Sequence, residues 1–488
     1  MATETLIQLC ILLPACGALF IAASANFPNL REAVTLSTAT GLFCLVVALF
    51  LRPEALQLDP IVLAEPLPGL QFQLCLEPLG LLFSGIASLL WLITSLYTIG
   101  YMRGNKEKNQ TRLYICFAVA LASTMGIALS GNLITLFLFY ELLTLSTYPL
   151  VTHNQDHDAV AGGRYYLGIL ISTSVGLLLP AIIWTWHLTG TTTFTAGGIL
   201  AGNIAPSLVV VLLLLYAFGI GKAALMPIHR WLPEAMVAPT PVSALLHAVA
   251  VVKAGVFCMV KIILYIFGPQ LLTSTNSNSI LIGLASFTII TASIIALRQD
   301  NLKRRLAYST ISQLSYVTLA VAILTPHSIT AAVLHITAHA FGKITLFFAA
   351  GAIYTAAHKT KVSELNGIGQ RMPWTMTAFA IASLSMIGLP PAAGFISKWY
   401  LLQGALSVNS VPIIGVLLLS TLLNTGYFIP IVYVAFFKKE SAVPAHPHGE
   451  APWTMVVALT TTAILTLILF FWPQIPLQLA TQLPGVGR

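Results

Sequence analysis

His335, His339 and Lys343 stand four residues apart in the apolar stretch LHITAHAFGKITLFF. At 100° per residue, steps of four drift by only ~40°, so the three side chains share one helix face over ~12 Å. Histidine exchanges protons near neutral pH, and a lysine deprived of water gives up its proton more readily than one in solution. A file of such groups suits the passage of protons along a helix. For His335, nearest the end of the stretch, a hydrogen-bonded packing role competes with this reading; three titratable groups in register favour the file.

Glu141, in LFLFYELLTLSTYPL, is the one carboxylate in the middle of an apolar run, so it requires a nearby cation or a proton of its own. Lys222, in FGIGKAALMPIHRWLPEA, is the expected partner. A pair that separates would let the lysine release its proton, which makes it a switch; a structural ion pair is the alternative. In LLHAVAVVKAGVFCMVKIILYIFG, Lys253 falls near the middle as a relay residue and His247 toward one end as an entry point. Lys261 falls toward the other end, where its stem is expected to snorkel to the interface. Lys398 follows the Pro390–Pro391 break in MIGLPPAAGFISKWY and mirrors Lys222.

The elements that carry these residues follow from composition. The 488 residues are 57% hydrophobic and 8% charged, against roughly 25% charged in soluble domains, and mean hydropathy is +0.89. Hydrocarbon offers no partner to backbone N–H and C=O groups, and the apolar runs far exceed the ~10 residues of a barrel strand. The fold class is therefore an all-α polytopic membrane protein. Fourteen runs reach spanning length, the first near 6–23 and the last near 452–472, with the weakest joins at 131 and 326–328.

Basic residues test that count, because cytoplasmic loops collect Lys and Arg. Of the 23 Lys and Arg, sixteen follow odd-numbered spans, whereas only Arg52 and Arg488 lie on the other side. Both termini are thus expected on the non-cytoplasmic side. The five that remain, Lys222, Lys253, Lys261, Lys343 and Lys398, lie within spans, where a charge costs a few kcal/mol or more and reads as part of an ion pathway. Gly and Pro interrupt spans 7 and 12 near Lys222 and Lys398. Such breaks are tolerated where they face protein or a hydrated cavity, and a pair of them points to an internal repeat with ion-handling sites.

Other signals exclude functions. No basic segment and cleavage site of a signal peptide frame the first run, which reads as a retained span. The six cysteines form no C-x-x-C pair, against an iron–sulfur cluster, structural zinc or disulfide framework. GIGK at 219–222 lacks the spacing of a phosphate loop. His446 and His448 read as a solvated loop rather than a metal site, and 52–75 as the largest non-cytoplasmic loop. No cofactor is expected. The net charge of +8 is assigned to membrane topology rather than to nucleic acid.

Four blocks, FYELLTLSTYPLV, GIGKAALMPIHRWLPEAMVAPTPVSALLHAVAVVKAGVF, HITAHAFGKITLFFAAG and GLPPAAGFISKW, resemble the proton-conducting antiporter-like membrane subunits. That family is shared by respiratory complex I, Mrp-type sodium/proton antiporters and membrane-bound hydrogenases. The resemblance covers most of spans 4 to 13 and implies about 14 helices with two inverted five-helix repeats and discontinuous helices 7 and 12. It divides the chain into helices 1–3 (1–110), a first repeat of helices 4–8 (111–268), a second of helices 9–13 (269–440), and a C-terminal loop and helix 14 (441–488). It implies that Glu141 and Lys222 are the coupling pair, Lys253 the central lysine, His335, His339 and Lys343 the second-half relay, and Lys398 the terminal lysine.

The M-type subunit of complex I carries glutamate where this chain has Lys398, and the L type has a C-terminal extension for which no room is left after span 14. The chain therefore resembles most a D-type subunit of an Mrp Na⁺/H⁺ antiporter. That implies a hetero-oligomeric complex in the cell inner (plasma) membrane, with other membrane subunits, antiporter-like homologues among them, and with H⁺ and Na⁺ as cargo. A proton-pumping subunit of a complex I-like or hydrogenase-like redox complex is the alternative, any redox catalysis then belonging to partner subunits. A non-conducting scaffold and a solitary transporter of an organic solute are rival classes, against which the number of buried titratable groups counts.

Overall fold

Helices form where the apolar runs predict them, because a chain in hydrocarbon must pair its backbone polar groups within each segment. The computed structural model describes residues 2–67, 69–440 and 449–486, so His446, His448 and Arg488 lie outside the described residues. In chain order the principal helices are α1 (Thr3–Ala23), α2 (Pro28–Phe50), α3 (Pro78–Gly104), α4 (Gln110–Ala128), α5 (Leu133–Val151) and α6 (His157–Thr189). There follow α7 (Pro206–Gly219), α8 (Thr240–Phe267), α9 (Asn278–Arg298), α10 (Leu302–Ile323) and α11 (Pro326–Ala357). Last come α12 (Pro373–Ile387), α13 (Gly394–Ser407), α14 (Val411–Phe437), α15 (Trp453–Phe471) and α16 (Gln474–Ala480). Among the described residues twelve helices are long and apolar enough to cross a membrane, and α7 and α12 are shorter apolar helices. Those two occupy the runs in which Gly and Pro interrupt the pattern.

The most apolar stretches of α8 and α11 are wholly buried, whereas those of α1, α2, α6, α9, α14 and α15 are buried over only 33–39%. The helices that carry His247, Lys253 and the His335–His339–Lys343 file thus occupy the interior, and more apolar ones form a ring suited to lipid. Within the interior, α11 packs on α8, α10, α12, α13 and α15.

Both breaks re-pair the backbone groups they free. After α7 the chain makes one 3₁₀ turn at Gly221–Ala223, and Ala224 adopts φ 55°. Tyr140 Oη accepts from the Lys222 N–H at 3.2 Å, and the Trp231 indole donates to the Gly221 carbonyl at 2.9 Å. After α12, Gly388 takes φ 90°, a conformation only glycine adopts without strain, and the Gly394 N–H donates to Ser385 Oγ at 3.1 Å. Helix α8 lies directly against the first break: a Cβ on Gly255 would stand 2.3 Å from the Lys222 carbonyl carbon. Two segments of α8, Leu245–Val249 and Ile262–Phe267, widen into π turns, a distortion frequent at functional sites.

The 52–75 segment, expected as a loop, contains an antiparallel hairpin of β1 (Ile61–Leu67) and β2 (Leu70–Leu74). The alternation LQFQL was its signal. Three bonds seat β2 at the start of α5: Gly131 N–H to Gln73 O at 2.9 Å, Asn132 Nδ2 to Gln71 O at 2.6 Å, and Gln73 N–H to Thr135 Oγ1 at 2.8 Å.

On the opposite, Lys/Arg-rich face, His153 follows α5 and is buried beneath Arg112, whose guanidinium donates to the His153 carbonyl at 2.8 Å. Burial, reinforced by the Arg112 charge, pushes this imidazole down to about 4, against ~6.5 in an unfolded chain. The folded state therefore favours the neutral ring. Its contribution is complete above about pH 6.5 and is lost as pH falls toward 4. Thermal unfolding of the detergent-solubilised protein should lose stability across that window, and His153→Gln should lose less; superimposable pH curves would dismiss His153 as a cause.

Candidate functional site

Tyr140 and Thr144 share one face of α5, being four residues apart, and that face receives Lys222. The Lys222 ammonium, sealed from solvent, donates to the Tyr140 carbonyl at 2.9 Å and to Thr144 Oγ1 at 2.5 Å. It also lies 3.2 Å from the centroid of the Tyr140 ring, a cation–π contact. The direct pair with Glu141 expected from the sequence is not formed. Residue 141 is turned ~100° from residue 140, and no hydrogen bond joins its carboxyl to the Lys222 ammonium. Both Glu141 oxygens are buried without a hydrogen-bond partner among the described residues, yet within electrostatic reach of Lys222. The arrangement is a lysine held by main chain and hydroxyl, with the Glu141 carboxyl, unpartnered among the described residues, nearby to bias it.

Lys253 of α8 points at α11, where its Nζ meets His339 Nδ1. This contact joins a titratable group of the α5–α8 segment to one of the α11–α13 segment. His247, two turns earlier on α8, lies between the rings of Trp231 and Phe347, at 6.2 and 5.9 Å, with both nitrogens unpartnered among the described residues. It sits in the first π turn of α8.

From His339 the α11 face leads two ways. Toward one end the His335 ring stacks 6.3 Å from that of His339 and 5.3 Å from Tyr316, and its Nδ1 bonds Ser397 Oγ at 2.9 Å. Lys398 Nζ lies 4.8 Å from the same Tyr316 ring and donates to the Met386 and Ile387 carbonyls, at 3.0 and 2.8 Å, at the end of α12. Toward the other end Lys343 donates to Ser309 Oγ at 2.8 Å, and Tyr427 Oη donates to that oxygen at 3.3 Å. Tyr427 also bonds Asn424, whose amide reaches the Met386 carbonyl at 3.4 Å. Both branches therefore end at one carbonyl, which also accepts from Gln313 at 3.4 Å.

The structure thus brings Lys253, His335, His339, Lys343 and Lys398 into one polar assembly, sets Lys222 and Glu141 beside the first break, and leaves His247 apart. Sequence reasoning missed Ser309, Tyr316, Asn424 and Tyr427, because hydroxyl and amide residues in apolar runs are too frequent to stand out. It also misread Lys261. That ammonium does not snorkel: its side chain is 2% accessible and pairs with Glu77 at 2.5 Å.

A family model described as NADH:quinone oxidoreductase/Mrp antiporter, TM, matches residues 130–424, the segment that holds all these candidate groups from Glu141 to Lys398. The chain belongs to this family. Among antiporter-like relatives, NADH-quinone oxidoreductase subunit N of Desulforudis audaxviator is 33% identical over 384 residues, covering 76% of this chain and 74% of that one. The A/B component of a probable K(+)/H(+) antiporter of Rhizobium meliloti is 32% identical over 469 residues, or 92% of this chain and 45% of the relative, so the chain spans less than half of that protein. A chain in the structure of the Mrp complex from Dietzia sp. DQ12-45-1b shares the fold, with a TM-score of 0.89 at 21% identity, covering 99% of this chain and 97% of that one.

Proposed function

We propose that this antiporter-like chain is a proton-translocating subunit of a multi-subunit membrane complex. The observation that carries the reading is the contact of Lys253 Nζ with His339 Nδ1, which joins Lys253 of α8 to the assembly of His335, His339, Lys343 and Lys398. Protons move by exchange between adjacent side chains, and neighbouring ammonium groups repel, so a proton arriving at Lys253 or His339 favours departure of the next toward Lys343 or Lys398. Glu141 draws positive charge toward Lys222, and any shift between α5 and the α7 break changes how firmly Lys222 holds its proton.

The Lys/Arg-rich loops are taken as cytoplasmic, which places both termini and the hairpin on the other side. A cavity of 220 Å³ opens on the basic face, with Tyr101, Glu107, Thr240, Lys303 and Lys359 in its wall. Burial raises the Glu107 carboxyl above the ordinary range, which suits a group that collects protons. Thr240 begins α8, and His247 stands seven residues, ~10 Å, deeper on that helix. His247 is thus the entry residue between cavity and Lys253.

We assign the complex to the Mrp type, as a D-like subunit exchanging Na⁺ for H⁺; the lysine at 398 counts against the M type of complex I. A redox-driven complex I-like assembly is the second reading, favoured by the subunit N relative, and any redox catalysis would then belong to partner subunits. The test is proton flux, followed with a pH-sensitive dye, in vesicles carrying the intact complex. Lys222→Met should lower the initial rate at least about tenfold, a conservative floor beneath the ~10²–10⁴-fold that positioned proton-transfer groups contribute, while native gels show unchanged assembly. A full rate per assembled complex would leave only the scaffold role.

A further inference from the structure

Lys261 and Glu77 are charges that the path above does not use. The Lys261 ammonium is enclosed by the carboxylate of Glu77 at 2.5 Å, the Phe194 ring at 3.8 Å and the Tyr265 ring at 4.7 Å. As mere cement such a pair is a poor device, because apolar residues of similar volume hold helices together as well or better. Its position suggests a use. Lys261 lies on α8 eight residues, ~12 Å, beyond Lys253, at the hairpin end of the helix. The Cys258 thiol, one turn back, is within electrostatic reach of both Lys222 and Lys261, so the two lysines flank the same turn. Glu77 is the residue preceding α3, and its side chain does not cap that helix but turns to Lys261. Its side chain is 14% accessible where that of Lys261 is 2%. The pair therefore spans the step from sealed interior to the hairpin face.

We propose that Lys261 and Glu77 form the release end of the proton path, an inference that rests on the function proposed above. The Nζ–H bond of the Lys261 ammonium breaks and an O–H bond forms on Glu77, leaving a neutral amine and a carboxylic acid. The acid then loses its proton to water on the hairpin side, and the amine is reprotonated from the interior lysines. One proton moves outward and both groups return to their starting state. The groups facing Glu77 are Lys261 and Tyr265 from α8 and Cys75 from the hairpin link, with Asp59 beyond Cys75.

The experiment measures flux in vesicles carrying the intact complex as the hairpin-side compartment alone is acidified. The native protein should slow, because a protonated Glu77 cannot accept. Glu77→Gln should be slower by roughly tenfold or more and insensitive to pH on that side, and Glu77→Asp should restore both rate and pH response. Glu77→Gln with native rate and native pH profile would overturn the proposal. If the single variant does not assemble, the double variant Glu77→Gln with Lys261→Met removes both charges and should assemble but stay slow; a native rate, or failure of both variants to assemble, marks the pair as structural and also overturns it. Lys222→Met measured in parallel separates the two levels: slow flux there beside native flux in Glu77→Gln removes only the release end, whereas native flux in both removes the path itself.

Discussion

Lys253→Met should reduce proton translocation by roughly two orders of magnitude or more in complexes that assemble normally. Methionine matches the length and stem of lysine without its charge, and replacing a buried cation by an apolar group of similar volume is often neutral or stabilising to the fold. The loss is chemical. Among the described residues the Lys253–His339 contact is the hydrogen-bonding link between the buried titratable groups of the two segments, and a thioether carries no exchangeable proton. His339→Gln should approach the same rate, since an amide keeps the hydrogen bond but does not titrate near neutrality. Dye-monitored flux per assembled complex decides the matter, and a rate within twofold of native for Lys253→Met would show that protons bypass the joint.

The second large effect is expected at a residue with no side chain. On Gly255 a new Cβ would meet backbone atoms, the Lys222 carbonyl carbon at 2.3 Å and the Ala223 nitrogen at 2.4 Å, neither of which can swing aside. Gly255→Ala must force α8 and the α7 break apart and so disturb the seating of Lys222 on Tyr140 and Thr144. Overpacking of this kind costs about 1–3 kcal/mol, so both thermal stability and flux should fall. Gly168→Ala in α6 is the matched control, because nothing stands within 4 Å of its added Cβ. There the gain in helix propensity, up to ~1 kcal/mol, should leave the protein as stable as before or more so. Equal melting temperatures for the two variants would contradict the close approach at Gly255.

Charge accounting was enough to single out Lys222, Lys253, Lys343 and Lys398, because a lysine in an apolar run is conspicuous and hydrocarbon penalises it heavily. The two broken helices were legible for a similar reason, Gly and Pro being unmistakable. What the sequence could not supply was the third dimension. Helical spacing gives the face on which Glu141 lies but not the height or heading of Lys222, so the expected direct pair proved to be a near approach. Glu77 sits at the boundary of an apolar run and 184 residues from Lys261, and neither fact marks it as a buried partner. The hairpin at 61–74 was hidden in a stretch rich in proline and acids, which reads more readily as an irregular loop.

The Met386 carbonyl, on which Lys398, Gln313 and Asn424 converge, has a consequence for how such proteins are compared. It belongs to the main chain, so the identity of side chain 386 is free to drift while the acceptor persists. Lys222 and Lys343 rest on the Tyr140 and Leu306 carbonyls in the same way. Four of the six hydrogen bonds from these ammonium groups are therefore written in backbone geometry and not in residue letters. Two chains could share the whole electrostatic circuit and yet agree at few of the positions that complete it.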